Sequence, residues 1–197
     1  MSAYSLSYCR TPNWDEVPAV ELRHTGWLAE APVRAKAQAC YDDEALLIRM
    51  EAVESPVRAT LRDPLSQVCN DSCLEFFFAP DPADSRYLNF EFNPLGTLYL
   101  GFGSTRPTRV RQIPKDTEAL FRPEPFFTET GWGICYRIPF SFIRNYFPAF
   151  EPTGEAACNF YKCGDETVIP HYLSWASMTT DTPDFHRRQD FGTLIFR

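Results

Sequence analysis

The stretch that decides the fold is residues 72–102, SCLEFFFAPDPADSRYLNFEFNPLGTLYLGF. It contains three apolar segments, 72–79, 87–93 and 97–102, which are separated by turns rich in Pro, Asp and Gly. Side chains that alternate with a period of two are typical of strands, and Pro-Leu-Gly at 94–96 is typical of a tight turn. The stretch therefore predicts an antiparallel meander of three strands.

Further segments with the character of strands lie on both sides of this meander. Residues 35–41 and 45–53 flank the acidic turn 42–44 and predict a hairpin. Later in the chain we predict strands at 132–139, 156–163, 168–174 and 192–196, and one short helix at 141–147, capped by Ser141.

Short strands at this spacing favour an all-β fold, an antiparallel two-sheet β-sandwich with one short helix, over a doubly wound sheet. The sequence has no repeat and no second composition regime, so we expect one domain over residues 1–197. Prolines are spaced through residues 1–32, and we expect that segment to be irregular and to wrap the outside of the domain.

Charge and composition exclude several classes of partner. The net charge is -7, whereas nucleic acid and anionic lipid need a basic face, so we expect neither partner. No apolar run approaches membrane-spanning length, and the first ten residues do not resemble a signal peptide. The seven cysteines are an odd number without zinc-finger spacing, which predicts reduced thiols in a cytoplasmic protein, with no metal site and no cofactor.

Three segments carry a family resemblance by their order: 70–78 (NDSCLEFFF), 87–93 (YLNFEFN), and 183–186 (PDFH) followed by Phe191-Gly192. They resemble the family 9 carbohydrate-binding modules, and in particular the stand-alone branch of that family, over about residues 14–197. The resemblance implies a DOMON-like antiparallel β-sandwich that holds a mono- or oligosaccharide at one end of its sheets, without catalysis. Sugars suit such a site because their C–H faces stack on aromatic rings while their hydroxyls need paired polar groups.

The resemblance also implies roles for individual residues. It places Glu75 at the carboxylate that contacts the sugar and Trp175 at one stacking tryptophan. Residues 67–69 occupy the stretch where a second stacking tryptophan is expected, so either Trp14, Tyr172 or Phe185 closes the pocket, or the chain has kept the fold and lost the sugar. Family members can hold structural calcium, but no acidic run here has EF-hand-like spacing, so the sequence names no calcium ligand.

Other polar residues are candidates by their own chemistry. Lys162 has the reach and the donors for sugar hydroxyls, although a solvated strand face explains it equally well. Asn89, which shares a strand face with Glu91 and Asn93, belongs either to a sugar-facing row or to the wet side of the sheet.

The histidines permit a further interpretation. A metal or acid–base site built from His171, His186, Asp184 and Glu75 is conceivable. The simpler interpretation of residues 184–186 is a turn in which side chains bond backbone groups. Trp175, in the same way, is either a stacking residue or part of the core.

Two alternatives to sugar binding stay open at this stage. The first is a glycan-processing enzyme that uses Glu75, with Glu91 as the natural second carboxylate. The second is a scaffold that kept the fold and binds another protein. Neither the identity of the sugar nor the oligomeric state follows from the sequence.

Overall fold

The computed structural model describes residues 2–25, 27–28 and 32–197. They form thirteen strands and two short α-helices, in the order β1 (Ala3–Leu6), β2 (Ala19–Glu21), β3 (Arg34–Tyr41), β4 (Ala45–Val53), β5 (Cys73–Ala79), β6 (Tyr87–Phe92), β7 (Leu98–Gly103), β8 (Val110–Gln112), α1 (Thr117–Phe121), β9 (Glu124–Thr128), β10 (Gly131–Pro139), α2 (Phe140–Arg144), β11 (Gly154–Gly164), β12 (His171–Ser174) and β13 (Gly192–Phe196). Neither helix has the length or apolar character needed to cross a membrane.

The strands form two sheets. One has five strands in the order β2-β3-β4-β10-β9, and the other has eight, in the order β1-β13-β11-β5-β6-β7-β8 with β12 paired to β11. Strand pairs are antiparallel except for β1 and β13, which run parallel. The predicted all-β, two-sheet sandwich is confirmed.

The main core lies between the two sheets. Phe76, Phe90 and Phe160 of the eight-stranded sheet belong to the same buried cluster as Ile48 and Trp132 of the five-stranded sheet. Because side chains alternate along a strand, the residues between them point to the outer face of the eight-stranded sheet. There a second buried cluster forms around aromatic residues such as Phe77, Tyr87 and Tyr161.

The predicted meander is present as β5, β6 and β7. Its register places Glu75 opposite Glu91 and Phe77 opposite Asn89, so these four residues share the outer face. Gly96 makes the turn between β6 and β7 with a φ of +75°, a conformation that residues with a Cβ rarely adopt. The hairpin of β3 and β4 is also present, and the Asp42 carboxylate accepts hydrogen bonds from two backbone N–H groups of its turn.

Three features differ from the expectations. Residues 1–32 are not wholly irregular, because they contain β1, an edge strand of the eight-stranded sheet, and β2, an edge strand of the five-stranded sheet. There are two helices where one was predicted, and the predicted one spans Phe140–Arg144 after Pro139, without a side-chain cap from Ser141. β8 and β9 were also missed, and both are short or exposed edge strands with little apolar alternation.

Strand β11 organises the eight-stranded sheet. It pairs along one edge with β5, and along the other edge with β13 in its first half and β12 in its second half. β1 then adds in parallel to the far side of β13, with Ala3 opposite Thr193.

Candidate functional site

A polar cleft lies on the outer face of the eight-stranded sheet. Its lining combines acidic, basic, thiol and aromatic groups: Trp27, Cys69, Glu75, Glu91, Arg106, Arg109, Cys163, Asp165, Tyr172, Pro183, Asp184, Phe185 and His186. The strands supply the floor, and segments around residues 27, 106 and 185 supply the walls. The resemblance placed the sugar at one end of the sheets, whereas this cleft opens on a sheet face.

Two neighbouring carboxyl groups form part of the floor. Glu75 and Glu91 are directly opposite each other on β5 and β6, and both are buried. Cys163 Sγ donates to Glu75 Oε1 at 2.9 Å, and Asn89 Nδ2 donates to Glu91 Oε1 at 2.8 Å. Burial and the charge of Glu91 raise the pKa of Glu75 well above its usual range.

Arg109 links this floor to the wall. Its Nη1 lies 3.3 Å from Glu91 Oε1, and the same guanidinium donates to His186 Nε2. Since a guanidinium only donates, His186 Nε2 accepts, and Nδ1 carries the proton that His186 donates to the Tyr87 hydroxyl at 2.8 Å. Burial and the neighbouring Arg109 charge lower the pKa of His186 to about 2, so this imidazole is neutral.

Burial also raises the pKa of Glu91, to about 7. Arg109 opposes that shift, because the ionised carboxylate is favoured beside a guanidinium. Burial thus favours the neutral form of both carboxyl groups, while Arg109 favours the ionised form of Glu91.

The aromatic wall consists of three rings. Trp27 lies with its ring centroid 5.6 Å from that of Phe185 and 5.8 Å from that of Tyr172. Phe185 in turn stacks on Tyr161 at 4.1 Å, and Trp27 Nε1 donates to the Thr180 carbonyl oxygen at 2.6 Å. These contacts pack the three rings against one another, and the Trp27 side chain is half-buried where it lines the cleft.

Sequence reasoning missed Trp27. It falls in the segment predicted to be irregular, where no strand alternation singles it out. The one available signal was the residue type, since a tryptophan in a polar, proline-spaced segment needs packing partners from outside that segment.

Of the predicted binding residues, Glu75, Tyr172 and Phe185 line the cleft. Asn89 is fully buried behind Glu91 and positions its carboxylate, so it contributes to the site without lining the cleft. Trp27 is a further aromatic residue of this cleft, beside Tyr172 and Phe185.

Trp175, predicted to stack on a ligand, does not line this cleft. Trp175 lies in the main core, edge-on to Tyr4 and Phe160, with 8% of its surface exposed. Of the alternatives considered for it, the core interpretation is the correct one. Trp14, named as a substitute stacking residue, lines a separate groove with Arg10 and Arg137.

Lys162 does not line this cleft, nor does it lie on a solvated strand face. Lys162 is fully buried on the core side of β11, where Nζ lies 3.1 Å from Glu54 Oε2 and donates to His171 Nε2 at 2.6 Å. Glu54 Oε2 also accepts from Trp132 Nε1 at 3.0 Å, so the lysine belongs to a buried network between the sheets. Burial and the Lys162 charge lower the pKa of His171 to about 4.

The cluster of His171, His186, Asp184 and Glu75 does not form, because His171 lies on the core side of the sheet and His186 on the outer side. Asp184 Oδ1 accepts from the backbone N–H of His186 at 3.0 Å, which confirms the turn interpretation of residues 184–186.

The acidic residue with the most contacts near the start of β5 is Asp71. Its carboxylate accepts from Asn93 Nδ2 and from the backbone N–H groups of Thr60 and Leu61, and it lies 3.3 Å from Arg58 Nε. Protein donors thus occupy this carboxylate, which does not fit a calcium ligand.

The thiols are all free in the described part of the chain. Cys73, Glu75 and Cys163 form the one group of three or more His, Cys, Asp or Glu side chains there whose donor atoms lie within 4.8 Å of one another. Two of its three donors are sulfur, which calcium does not favour. Burial raises the pKa of the Cys73 thiol to about 12.

Comparison with known families gives one match. The model of carbohydrate-binding family 9 matches residues 13–196. A crystal structure of a candidate carbohydrate-binding protein from Bacteroides uniformis ATCC 8492 is similar, with a TM-score of 0.85, 24% identity and 99% of each chain covered.

Two further similar structures are family 9 modules from Caldicellulosiruptor kristjanssonii. The module in complex with cellotriose has a TM-score of 0.70 and 14% identity, with 100% of this chain and 94% of that chain covered. The module in complex with glucose has a TM-score of 0.69 and 14% identity, with 100% and 96% covered. No curated protein matches the chain.

Proposed function

Because the chain belongs to carbohydrate-binding family 9, we propose that it binds a mono- or oligosaccharide in the cleft on the outer face of its eight-stranded sheet, without cleaving it. The observation that carries this proposal is the composition of the cleft. An aromatic wall and a floor of hydrogen-bonding carboxyl groups lie within one concave site.

The chemistry of the cleft suits a neutral sugar. Trp27 offers a half-buried ring for an apolar C–H face, and the Glu75 carboxyl group offers a hydrogen-bonding partner for a sugar hydroxyl. Glu91 and Arg109 supply an acceptor and a donor next to each other, as vicinal hydroxyls require. Stacking with a few solvent-competed hydrogen bonds yields roughly micromolar to millimolar affinity.

The arrangement of carboxyl groups favours binding over hydrolysis. Glycosidases use two carboxyl groups that flank the scissile bond, whereas Glu75 and Glu91 lie side by side on adjacent strands of one floor. Both also carry structural hydrogen bonds from Cys163 and Asn89.

Calorimetric titration with glucose and cellotriose tests the proposal, because two similar structures hold these sugars. We expect saturable binding that Trp27→Ala weakens by at least about tenfold, which matches the loss of roughly 1.4 kcal/mol of stacking. Trp14→Ala is the matched control, since Trp14 is half-buried in a different groove, and it should bind as the wild type does.

Three results would contradict the proposal. Equal affinity in Trp27→Ala and wild type would place the sugar elsewhere, and turnover of chromogenic glycosides lost in Glu75→Gln would favour the enzyme. No heat with any sugar of a broad panel, together with one stoichiometric protein partner on co-purification, would favour the scaffold.

A further inference from the structure

Three soft or acidic donors converge on the floor of the cleft. Cys73 on β5 is directly opposite Cys163 on β11, and Glu75 lies two residues after Cys73 on the same face of β5. One donor atom from each, two Sγ and a carboxylate oxygen, lies within 4.8 Å of the others, and all three residues are buried. A rigid sheet therefore holds a preformed triangle of ligand atoms.

We propose that Cys73, Glu75 and Cys163 bind a thiophilic divalent cation of the Zn²⁺ class, with one coordination position open toward the cleft. Zinc is bound by Cys sulfur and by Asp or Glu oxygen, usually with four donors. Sites with three protein ligands keep the fourth position for water or a ligand, and the cleft provides space for one here.

The donor set selects the class of ion. Two thiol ligands disfavour Mg²⁺ and Ca²⁺, which take oxygen donors, and favour zinc or an ion of similar softness. Glu75 accepts a hydrogen bond only from Cys163 among the described residues, so no ion pair has to break before the ion binds.

The metal site is open to solvent, and a fourth ligand can complete it. Glu75 and Cys163 both line the cleft, so an ion reaches them from solvent. The Cys69 carbonyl oxygen lies 3.8 Å from Cys163 Sγ, and the Cys69 side chain lines the cleft beside it. A fourth donor is therefore at hand from the protein or from water.

The inference goes beyond the proposed function but shares Glu75 with it, so the two tests are kept apart. Sugar titrations use protein stripped of metal, and metal titrations use no sugar. Either proposal can then fail while the other holds.

The first experiment titrates Co²⁺ into the full chain, stripped of metal and kept reduced, while absorption is recorded. Thiolate ligands produce sulfur-to-cobalt charge-transfer bands, and Zn²⁺ should displace the cobalt and abolish them. We expect one ion per chain, with binding weakened more than about 100-fold in Cys73→Ser and in Cys163→Ser, since even residues outside the coordination sphere cost 10–100-fold.

Cys135→Ser is the matched control, because Cys135 is a partly buried thiol on the five-stranded sheet beside Arg49, and it should keep the bands. Thermal unfolding checks that each serine variant folds. If one does not, Glu75→Gln replaces it, and there the bands should persist while the affinity falls.

Two results would overturn the inference. One is the absence of stoichiometric binding by reduced wild-type protein. The other is a set of charge-transfer bands that survives in both serine variants, or that disappears in Cys135→Ser.

Discussion

Lys162→Met should destabilise the protein strongly without touching the cleft. In the wild type, Glu54 accepts from Lys162, Trp132 and Ser72, and the whole network is buried between the sheets. Methionine fills the lysine volume but leaves the Glu54 carboxylate without a counter-charge. Breaking a buried ion pair in this way costs about 3–5 kcal/mol, which lowers the Tm of a domain this size by roughly 6–20 °C.

Urea and thermal denaturation measure this effect, and Lys36→Met is the matched control. Lys36 pairs with Glu51 at 3.6 Å on the surface, so its loss should cost less than about 1 kcal/mol. Adding Glu54→Gln to Lys162→Met should recover part of the stability, because it removes the uncompensated charge while the amide still bonds Trp132 and Ser72. The reasoning is refuted if Lys162→Met stays within 1 kcal/mol of wild type, or if the double variant is less stable than the single one.

Three further changes follow from the same structure. Trp175→Ala removes a core ring and should cost about 3–5 kcal/mol in urea denaturation, whereas Trp14→Ala should cost far less, and equal losses would contradict the core assignment. Asp71→Ala leaves several buried donors unpaired and should lower the unfolding free energy, measured by urea denaturation, by more than about 2 kcal/mol. An unchanged denaturation midpoint would show that other contacts stabilise the segment at Thr60 and Leu61. Burial raises the pKa of Glu91 from 4.5 to about 7, so between those pH values the folded state keeps a proton that the unfolded state releases. The unfolding free energy should therefore fall as the pH rises from 4.5 to 7. Glu75→Gln should flatten this dependence of the unfolding free energy on pH, and an unaltered dependence would argue against coupling of the two acids.

Much of the fold could be predicted because apolar and polar side chains alternate along most of its strands. β4 and β13 have the predicted bounds, and the meander of β5, β6 and β7 shifts by only one residue at its ends. Strands without an apolar face of their own could not be found this way. β8 and β9, for example, form only because a neighbouring strand is already in place.

The site was predicted only in part. The alternation of side chains along a strand assigns them to two faces, but it does not show which face packs against the other sheet. Glu75, Tyr172 and Phe185, three of the predicted binding residues, line the cleft, whereas Lys162 lies on the core side of β11. Its partner Glu54 is 108 residues earlier in the chain, so no local pattern reveals the ion pair that makes a buried lysine tolerable. Sharing a face with Phe160 was the one local signal that Lys162 points to the core.

The parallel pairing of β1 with β13 has a consequence for folding kinetics. The paired residues Ala3 and Thr193 come from opposite ends of the sequence, so β1 has no partner in its sheet until β13 is in position. One half of the β11 edge stays open for the same reason. Contacts of such long separation are slow to form, and we expect this domain to fold in milliseconds to seconds, with β1 docking last.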